Sequence, residues 1–397
     1  MVAQRKKIIL KSKIARRVER GHLWVFSNEV ESIEGEPHPG DEVEIFSAKN
    51  KFIGMGLFSK SSLITARIYS RKRNLICDED FISTRIRDAL LYRKSLNLTS
   101  HSYRLIYSES DGLPGVIIDV FGEYVVFQIT TYAMELRRDV LISALKKIIS
   151  PEAIIERSDV PYRELEGLAK RNCVVSGDPA NPCMVFDNNC KIYTDLINGQ
   201  KTGYYLDQIK NRNLAIPFFK DKNILDLFCY VGSWSIVAGT NNAKSVIGVD
   251  SSEKALELAR KSAIENNVDS KCTFIKSDVF SLLREFVNQK QKFDVIVIDP
   301  PALAKSKKDK KNALNAYREL NLRAMQILVD GGVLITCSCS HHISAQDFLD
   351  VLTMSAKDAS ADFIILHQST QSPDHPIHLQ TPETSYLKAF FLKKRMV

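Results

Sequence analysis

The chain has 397 residues, 44% hydrophobic and 26% charged, an ordinary globular composition and enough length for two or three domains of about 100–200 residues. No apolar run approaches the ~18 residues of a membrane-spanning helix, and Ile8-Ile9-Leu10, the one apolar run in the first 17 residues, is too short for a secretory leader. A membrane partner is therefore not expected. Eight cysteines, at 77, 173, 183, 190, 229, 272, 337 and 339, form no CxxC or Cys/His pair with zinc spacing, so no metal is expected, and reduced thiols in a cytoplasmic protein are. The net charge of +8 is uneven: residues 1–73 hold 15 Lys+Arg against 8 Asp+Glu. That asymmetry is an electrostatic footprint for a polyanion or, read plainly, a solvated basic face.

Residues 1–73 read as a small β-barrel-like unit. Strands are expected at 23–26, 42–46 and 63–68, with turns at Pro39-Gly40-Asp41 and Lys49-Asn50-Lys51. Basic residues cluster at Lys6, Lys7, Lys11, Lys13, Arg16, Arg17 and Arg20. Residues 74–178 mix helix and strand, with a hairpin at 116–129 around Phe121-Gly122-Glu123 and helical periodicity from 134 to 149. From residue 179 the pattern alternates: apolar strands at 223–228, 245–249, 272–276, 293–298 and 332–336, with helices such as 252–267 and 278–288 between them. Strands spaced by helices imply right-handed crossovers and a doubly wound parallel sheet. The expected architecture is thus α/β, in three domains: 1–73, 74–178 and 179–397.

A doubly wound sheet binds its ligand beyond the C-terminal strand ends. The first strand there ends in Asp226-Leu227-Phe228-Cys229-Tyr230-Val231-Gly232-Ser233-Trp234. Gly232 allows the backbone close to a ligand. Asp250, 18 residues on, is placed to accept from ribose hydroxyls. A pyrophosphate would want a glycine-rich turn that this chain lacks, whereas S-adenosyl-L-methionine carries no phosphate. Asp278 ends the third strand, placed for an adenine amino group, and Asp299 ends the fourth, before Pro300-Pro301. The prolines fix φ and remove two amide donors, making a rigid shelf beside a reacting methyl. Each acid alone has an N-capping explanation; four at successive strand ends point to a cofactor. The fifth strand ends in Cys337-Ser338-Cys339-Ser340-His341-His342. Cys337 reads as a packed, inert thiol, and Cys339 as one that emerges at the catalytic edge opposite Asp299.

The run from Gly199 to Gln208 (Gly-Gln-Lys-Thr-Gly-Tyr-Tyr-Leu-Asp-Gln), Asp226-Leu227-Phe228-Cys229-Tyr230, Asp299-Pro300-Pro301 and Ser338-Cys339-Ser340 together resemble the bacterial large-subunit ribosomal RNA cytosine-5 methyltransferase I family. Gly21-His22-Leu23-Trp24-Val25-Phe26-Ser27 resembles the start of that family's N-terminal PUA domain, an RNA-binding barrel. Ser102-Tyr103-Arg104-Leu105-Ile106, Glu109 to Gly115, and Arg157-Ser158-Asp159-Val160 resemble its central domain. The chain departs at Ile209, where the family commonly has arginine, and at Leu303, where it often has an aromatic residue.

The resemblance implies a class I methyltransferase domain that uses S-adenosyl-L-methionine, 23S rRNA as partner, and Cys339 as a nucleophile that adds to carbon 6 of cytosine so that carbon 5 can be methylated. It assigns Asp299 to the catalytic pair. Gln200, Thr202, Tyr205, Asp207, Phe228, Tyr230 and Pro300 join Asp226, Gly232, Asp250, Asp278 and Asp299 in the cofactor site. A homodimer is compatible with this reading, and the group that activates Cys339 is not identified. The loop 305–311, rich in lysine, is either a phosphate contact or a solvated loop; His341 and His342 serve in proton removal or in structure. Two other functions stay open: methylation of a guanine ring nitrogen, which would leave Cys339 without a task, and a non-enzymatic RNA-binding assembly factor, against which the four strand-end acids argue.

Overall fold

The computed structural model describes residues 6–12, 15–98, 100–304 and 306–396; the expectations placed on Lys13 and Lys305 lie outside them. The chain forms two compact units. One runs to Asn181 and takes in Leu196–Tyr204 and Pro373–Thr384; the other holds Pro182–Asp195, Tyr205–Ser372 and Ser385–Val397. Among the described residues no helix is long and apolar enough to cross a membrane.

The first unit contains two sheets. Lys7–Leu10, Trp24–Phe26, Val30–Glu34, Glu42–Phe46, Phe52–Phe58 and Ile64–Ser70 make a six-stranded sheet around Ile8, Leu10, Val25, Val43, Ile45, Ala66 and Ile68. Several of its cations are already paired: Lys6 with Asp41, Arg17 with Glu29, Arg73 with Glu44. The net charge therefore overstates the free basic surface. A five-stranded sheet follows, built from Ser102–Tyr107, Val116–Phe121, Tyr124–Ile129, Ala153–Ser158 and Arg171–Ser176. Its core is shared with the helices Glu79–Ser95 and Arg138–Ile148. The helix expected over 134–149 is broken into Tyr132–Glu135 and Arg138–Ile148. At the break the Arg137 guanidinium donates to the carbonyls of Ala133, Gly40 and Cys77, at 2.9, 3.2 and 2.8 Å.

The second unit is a doubly wound α/β layer with a seven-stranded sheet. Its strands are β1 (Asn223–Leu227), β2 (Ser245–Asp250), β3 (Cys272–Lys276), β4 (Phe293–Ile298), β5 (Leu328–Ser338), β6 (Phe363–Ser369) and β7 (Lys388–Lys394). They lie in the order β3-β2-β1-β4-β5-β7-β6, all parallel except β7. β4, Phe-Asp-Val-Ile-Val-Ile, is nearly continuous in apolar residues, and five of its six residues are buried, as in a strand covered on both faces. The helices that follow its first five strands are α1 (Ser233–Thr240), α2 (Glu253–Glu265), α3 (Val279–Asn288), α4 (Lys310–Ile327) and α5 (Ala345–Asp358). Side chains set their starts: Ser252 caps α2, Asp278 caps α3, and Ser344 with Asp347 forms a capping box on α5. The chain order reverses at β1 and β4, where neighbours depart in opposite directions, so the ends of those strands form the crevice.

Candidate active site

The turn after β1 is held mainly by backbone. Phe228, Tyr230 and Gly232 all adopt left-handed φ, +63°, +49° and +75°. Two of these are not glycine, which is a costly conformation found mostly where function requires it. The turn is tied at three points. Cys229 N donates to the Val249 carbonyl at 3.0 Å, Tyr230 N to Asp250 Oδ2 at 2.9 Å, and Gly232 N to the Cys229 carbonyl at 2.8 Å. A Cβ on Gly232 would lie 2.9 Å from both Ala259 Cβ and a Phe274 ring carbon. Gly232 is thus fixed by φ and by space together.

Asp226 lies inside β1, fully buried, not at its tip. Its Oδ2 accepts from the Ser235 amide at 3.0 Å and hydroxyl at 2.6 Å, while its Oδ1 is buried with no hydrogen-bond partner among the described residues. Burial pushes this carboxyl up to about 7; the Ser235 bonds oppose the rise, and the charges of Asp299 and Asp250 add to it. Asp250, at the end of β2, accepts from Tyr230 N through Oδ2 and Ser252 N through Oδ1, both at 2.9 Å. Each oxygen retains a lone pair. Asp278 is exposed; its Oδ1 accepts from Ser281 N at 2.9 Å, the N-cap of α3.

The ends of β4 and β5 are held by side chains. Asp299 Oδ1 accepts from Gln208 Nε2 at 2.8 Å and Oδ2 from Trp234 Nε1 at 3.1 Å. Burial raises this carboxyl, Asp207 adds to the rise, and the Trp234 and Gln208 donors and Arg212 pull it back. Gln208 is oriented in turn by Asn211 Nδ2, 2.6 Å from its Oε1. Asp207 Oδ2 accepts from the Tyr386 hydroxyl at 2.5 Å. The Tyr205 ring lies edge-on to Tyr230, centroids 5.6 Å apart, and its carbonyl accepts from Arg212, itself bound to the buried Asp187 at 2.6 Å.

Cys339 stands just beyond β5, partly exposed, and its Sγ donates to the Pro300 carbonyl at 3.7 Å. Cys337, two residues earlier on the strand, is fully buried, and burial pushes its thiol far up. Ser340 joins the two loops: its Oγ accepts from Ala304 N at 3.1 Å and lies 3.3 Å from the Tyr317 hydroxyl.

The structure thus gathers Tyr205, Asp207, Asp226, Phe228, Tyr230, Gly232, Asp250, Asp299, Pro300 and Cys339 in the second unit, at the C-terminal side of its sheet, with Asp278 at the start of α3. Gln200 and Thr202 belong to the first unit, where Gln200 is exposed and the buried Thr202 hydroxyl donates to Asp119 Oδ2 at 2.6 Å. Sequence reasoning did not single out Gln208, Trp234, Tyr386 or Lys388. Gln208 and Trp234 close the very runs quoted above, and that adjacency was the available signal. Tyr386 and Lys388 come from the last 12 residues, far from any motif.

Two parts of the chain match known domain families. Residues 8–71 match a PUA-like domain and residues 218–377 a methyltransferase domain. Ribosomal RNA large subunit methyltransferase I of Aeromonas hydrophila is 40% identical over 95% of this chain and 96% of its own length. That of Vibrio cholerae is 38% identical, again over 95% of this chain and 96% of its own. Among solved structures, a Streptococcus mutans chain described as a SAM-dependent methyltransferase superposes with a TM-score of 0.83, at 21% identity, covering 98% of this chain and 99% of that one. The fold is therefore a PUA-like domain joined to a SAM-dependent methyltransferase domain, and the cofactor of such a domain is S-adenosyl-L-methionine. By its identity along nearly the whole length, the chain belongs to the ribosomal RNA large subunit methyltransferase I family.

Proposed function

We propose that this protein is a cytoplasmic methyltransferase that forms 5-methylcytosine in large-subunit (23S) rRNA through a covalent Cys339 adduct. Its three working parts are 1–73, 74–178 and 179–397. The observation that carries the chemistry is Cys339 Sγ at 3.7 Å from the Pro300 carbonyl, one residue from Asp299.

S-adenosyl-L-methionine, when bound, supplies an electrophilic methyl group. The residues fit it. The buried Asp226 Oδ1 lacks a partner among the described residues, the Gly232 turn has no room for a side chain, and Asp250 retains lone pairs for ribose hydroxyls. Asp278 Oδ2 remains for the adenine amino group, and Phe228, Tyr230, Tyr205, Asp207 and Pro300 wall the site. Gln200 and Thr202 enter this set on the family run alone.

Carbon 5 of cytosine is not nucleophilic by itself. Addition of the Cys339 thiolate through Sγ to carbon 6 makes the ring an enamine whose carbon 5 can take a methyl group. Carbon 5 then loses its proton, and Sγ leaves by elimination. Asp299, with both oxygens oriented by Gln208 and Trp234, is positioned to hydrogen-bond the base edge. The target base must leave its stack to reach the cleft.

RNA carrying 5-fluorocytosine at the target tests this reading. Fluorine cannot leave as a proton does, so the adduct persists as an enzyme–RNA crosslink in denaturing gels. The crosslink should require cofactor, map to Cys339 and vanish in Cys339→Ala. A crosslink at another cysteine, or a nitrogen-methylated product, overturns the mechanism.

A further inference from the structure

Lys388 opens β7, and its Cα pairs with that of Ser338, the last residue of β5. Its side chain reaches beyond that register. Nζ donates to the Ser340 carbonyl at 2.7 Å and to the Tyr386 carbonyl at 2.8 Å. One residue therefore brackets Cys339 from both sides, its backbone paired with Ser338 and its ammonium bonded to the Ser340 carbonyl. Its third N–H has no hydrogen-bond partner, and the ammonium no ion pair, among the described residues. An unneutralised, partly buried cation is costly unless an anion forms beside it.

We propose that Lys388 is the positioning residue for Cys339, its ammonium fixing the turn that carries the thiol and placing a positive charge beside the developing thiolate. The proposal rests on the reading of Cys339 as the nucleophile. Burial pulls the Lys388 ammonium down to about 8, with the charges of Cys339 and Asp347 opposing that fall, so near pH 7 it remains largely charged. Asp347 itself is engaged by Lys310 at 2.8 Å and by the Ser344 cap. Other titratable groups near Cys339 include Tyr205 from the loop before Leu206–Gln208, Tyr317 from α4, Cys337 from β5, Asp299 from the end of β4, and His341, whose ring packs tilted against Tyr386 with centroids 5.5 Å apart. Burial holds Tyr205, Tyr317 and Cys337 in their neutral forms, and Asp299 could only oppose a second negative charge. Lys388 supplies a favourable charge.

The test is alkylation of Cys339 in the full-length protein by iodoacetamide across pH 6–10, read at that residue by mass spectrometry. In Lys388→Met the midpoint of the rate profile should move up by about one pH unit or more, while Lys388→Arg keeps the wild-type midpoint. Methyl transfer should lose kcat, with cofactor affinity unchanged. A second measurement needs no variant: iodoacetate, an anion, should gain on iodoacetamide at Cys339 by several-fold over the ratio for a free cysteine. An unmoved midpoint in folded Lys388→Met, or a ratio no higher than that of the free thiol, overturns the proposal. If the alkylation results hold but Cys339→Ala still methylates, the nucleophile reading has failed and the Lys388 effect on the thiol stands.

Discussion

The two halves of the crevice are built by different means. The turn after β1 is a backbone structure: three left-handed residues in five, fixed by main-chain amides donating to carbonyls and to Asp250. The paired ends of β4 and β5 are a side-chain structure, in which Gln208, Trp234 and Asn211 orient Asp299 and Ser340 joins one loop to the other. A backbone turn tolerates most substitutions and fails where conformation demands a particular residue. A side-chain network fails wherever one member is lost. The first suits a cofactor held the same way in every turnover; the second suits chemistry, where single atoms decide the outcome.

The largest contrast should come from the two cysteines. Cys339→Ala should abolish methyl transfer to rRNA while cofactor binding stays near wild type, and Cys337→Ala should cost much less, because its buried thiol, hydrogen-bonded to Gln208, sits inside β5 and supplies no nucleophile. Labelled methyl incorporation with parallel calorimetry reads both. Equal losses in the two variants would show that the strand end matters only as packing.

On the backbone side, Gly232→Ala should be the most damaging single change. Left-handed strain of about 1–3 kcal/mol is compounded by contacts at 2.9 Å with Ala259 and Phe274. We expect a fall of several degrees in the thermal midpoint together with weakened cofactor binding. Asp250→Ala should weaken S-adenosyl-L-methionine by about 1–3 kcal/mol, with a smaller effect on stability. Unchanged affinity in calorimetry would remove Asp250 from the cofactor site.

Asp226 gives the smallest and most specific signal. Its carboxyl titrates near 7 in the fold against 3.8 when unperturbed. The folded chain therefore holds a proton that the unfolded chain has released. The contribution to stability is complete below about pH 4 and is lost as pH rises to about 7 and beyond. Asp226→Asn, which cannot ionise, should flatten the decline in thermal midpoint between about pH 4 and 7. Parallel curves for variant and wild type would assign the slope elsewhere.

The parts of this design that were legible in sequence follow the same division. β4 announced itself as a β-branched run, and the acids at 250 and 299 stood where alternation placed strand ends. Phe52–Phe58 was missed because two glycines interrupt its apolar pattern and read as loop. Glu79–Ser95 was missed because charged residues lie all around it, one of them, Arg93, buried against Asp111 and the Arg104 carbonyl. In the site, Asp226 looked like a strand-tip acid, yet Ser235, nine residues on, turns it inward. The Asp207–Tyr386 bond spans 179 residues, and no local pattern encodes such a pairing.

Ser340 carries a dynamic consequence. Its hydroxyl accepts the Ala304 amide and its carbonyl accepts Lys388, so that with the Cys339–Pro300 bond it ties both loops of the reactive edge together. Fluctuations of the Pro-Pro loop and of the cysteine turn should therefore be correlated, opening together or not at all. The Ala304 amide is a natural reporter of that joint opening. Its hydrogen exchange should accelerate in Ser340→Ala, where the longer Cys339–Pro300 bond is left to couple base shelf and nucleophile.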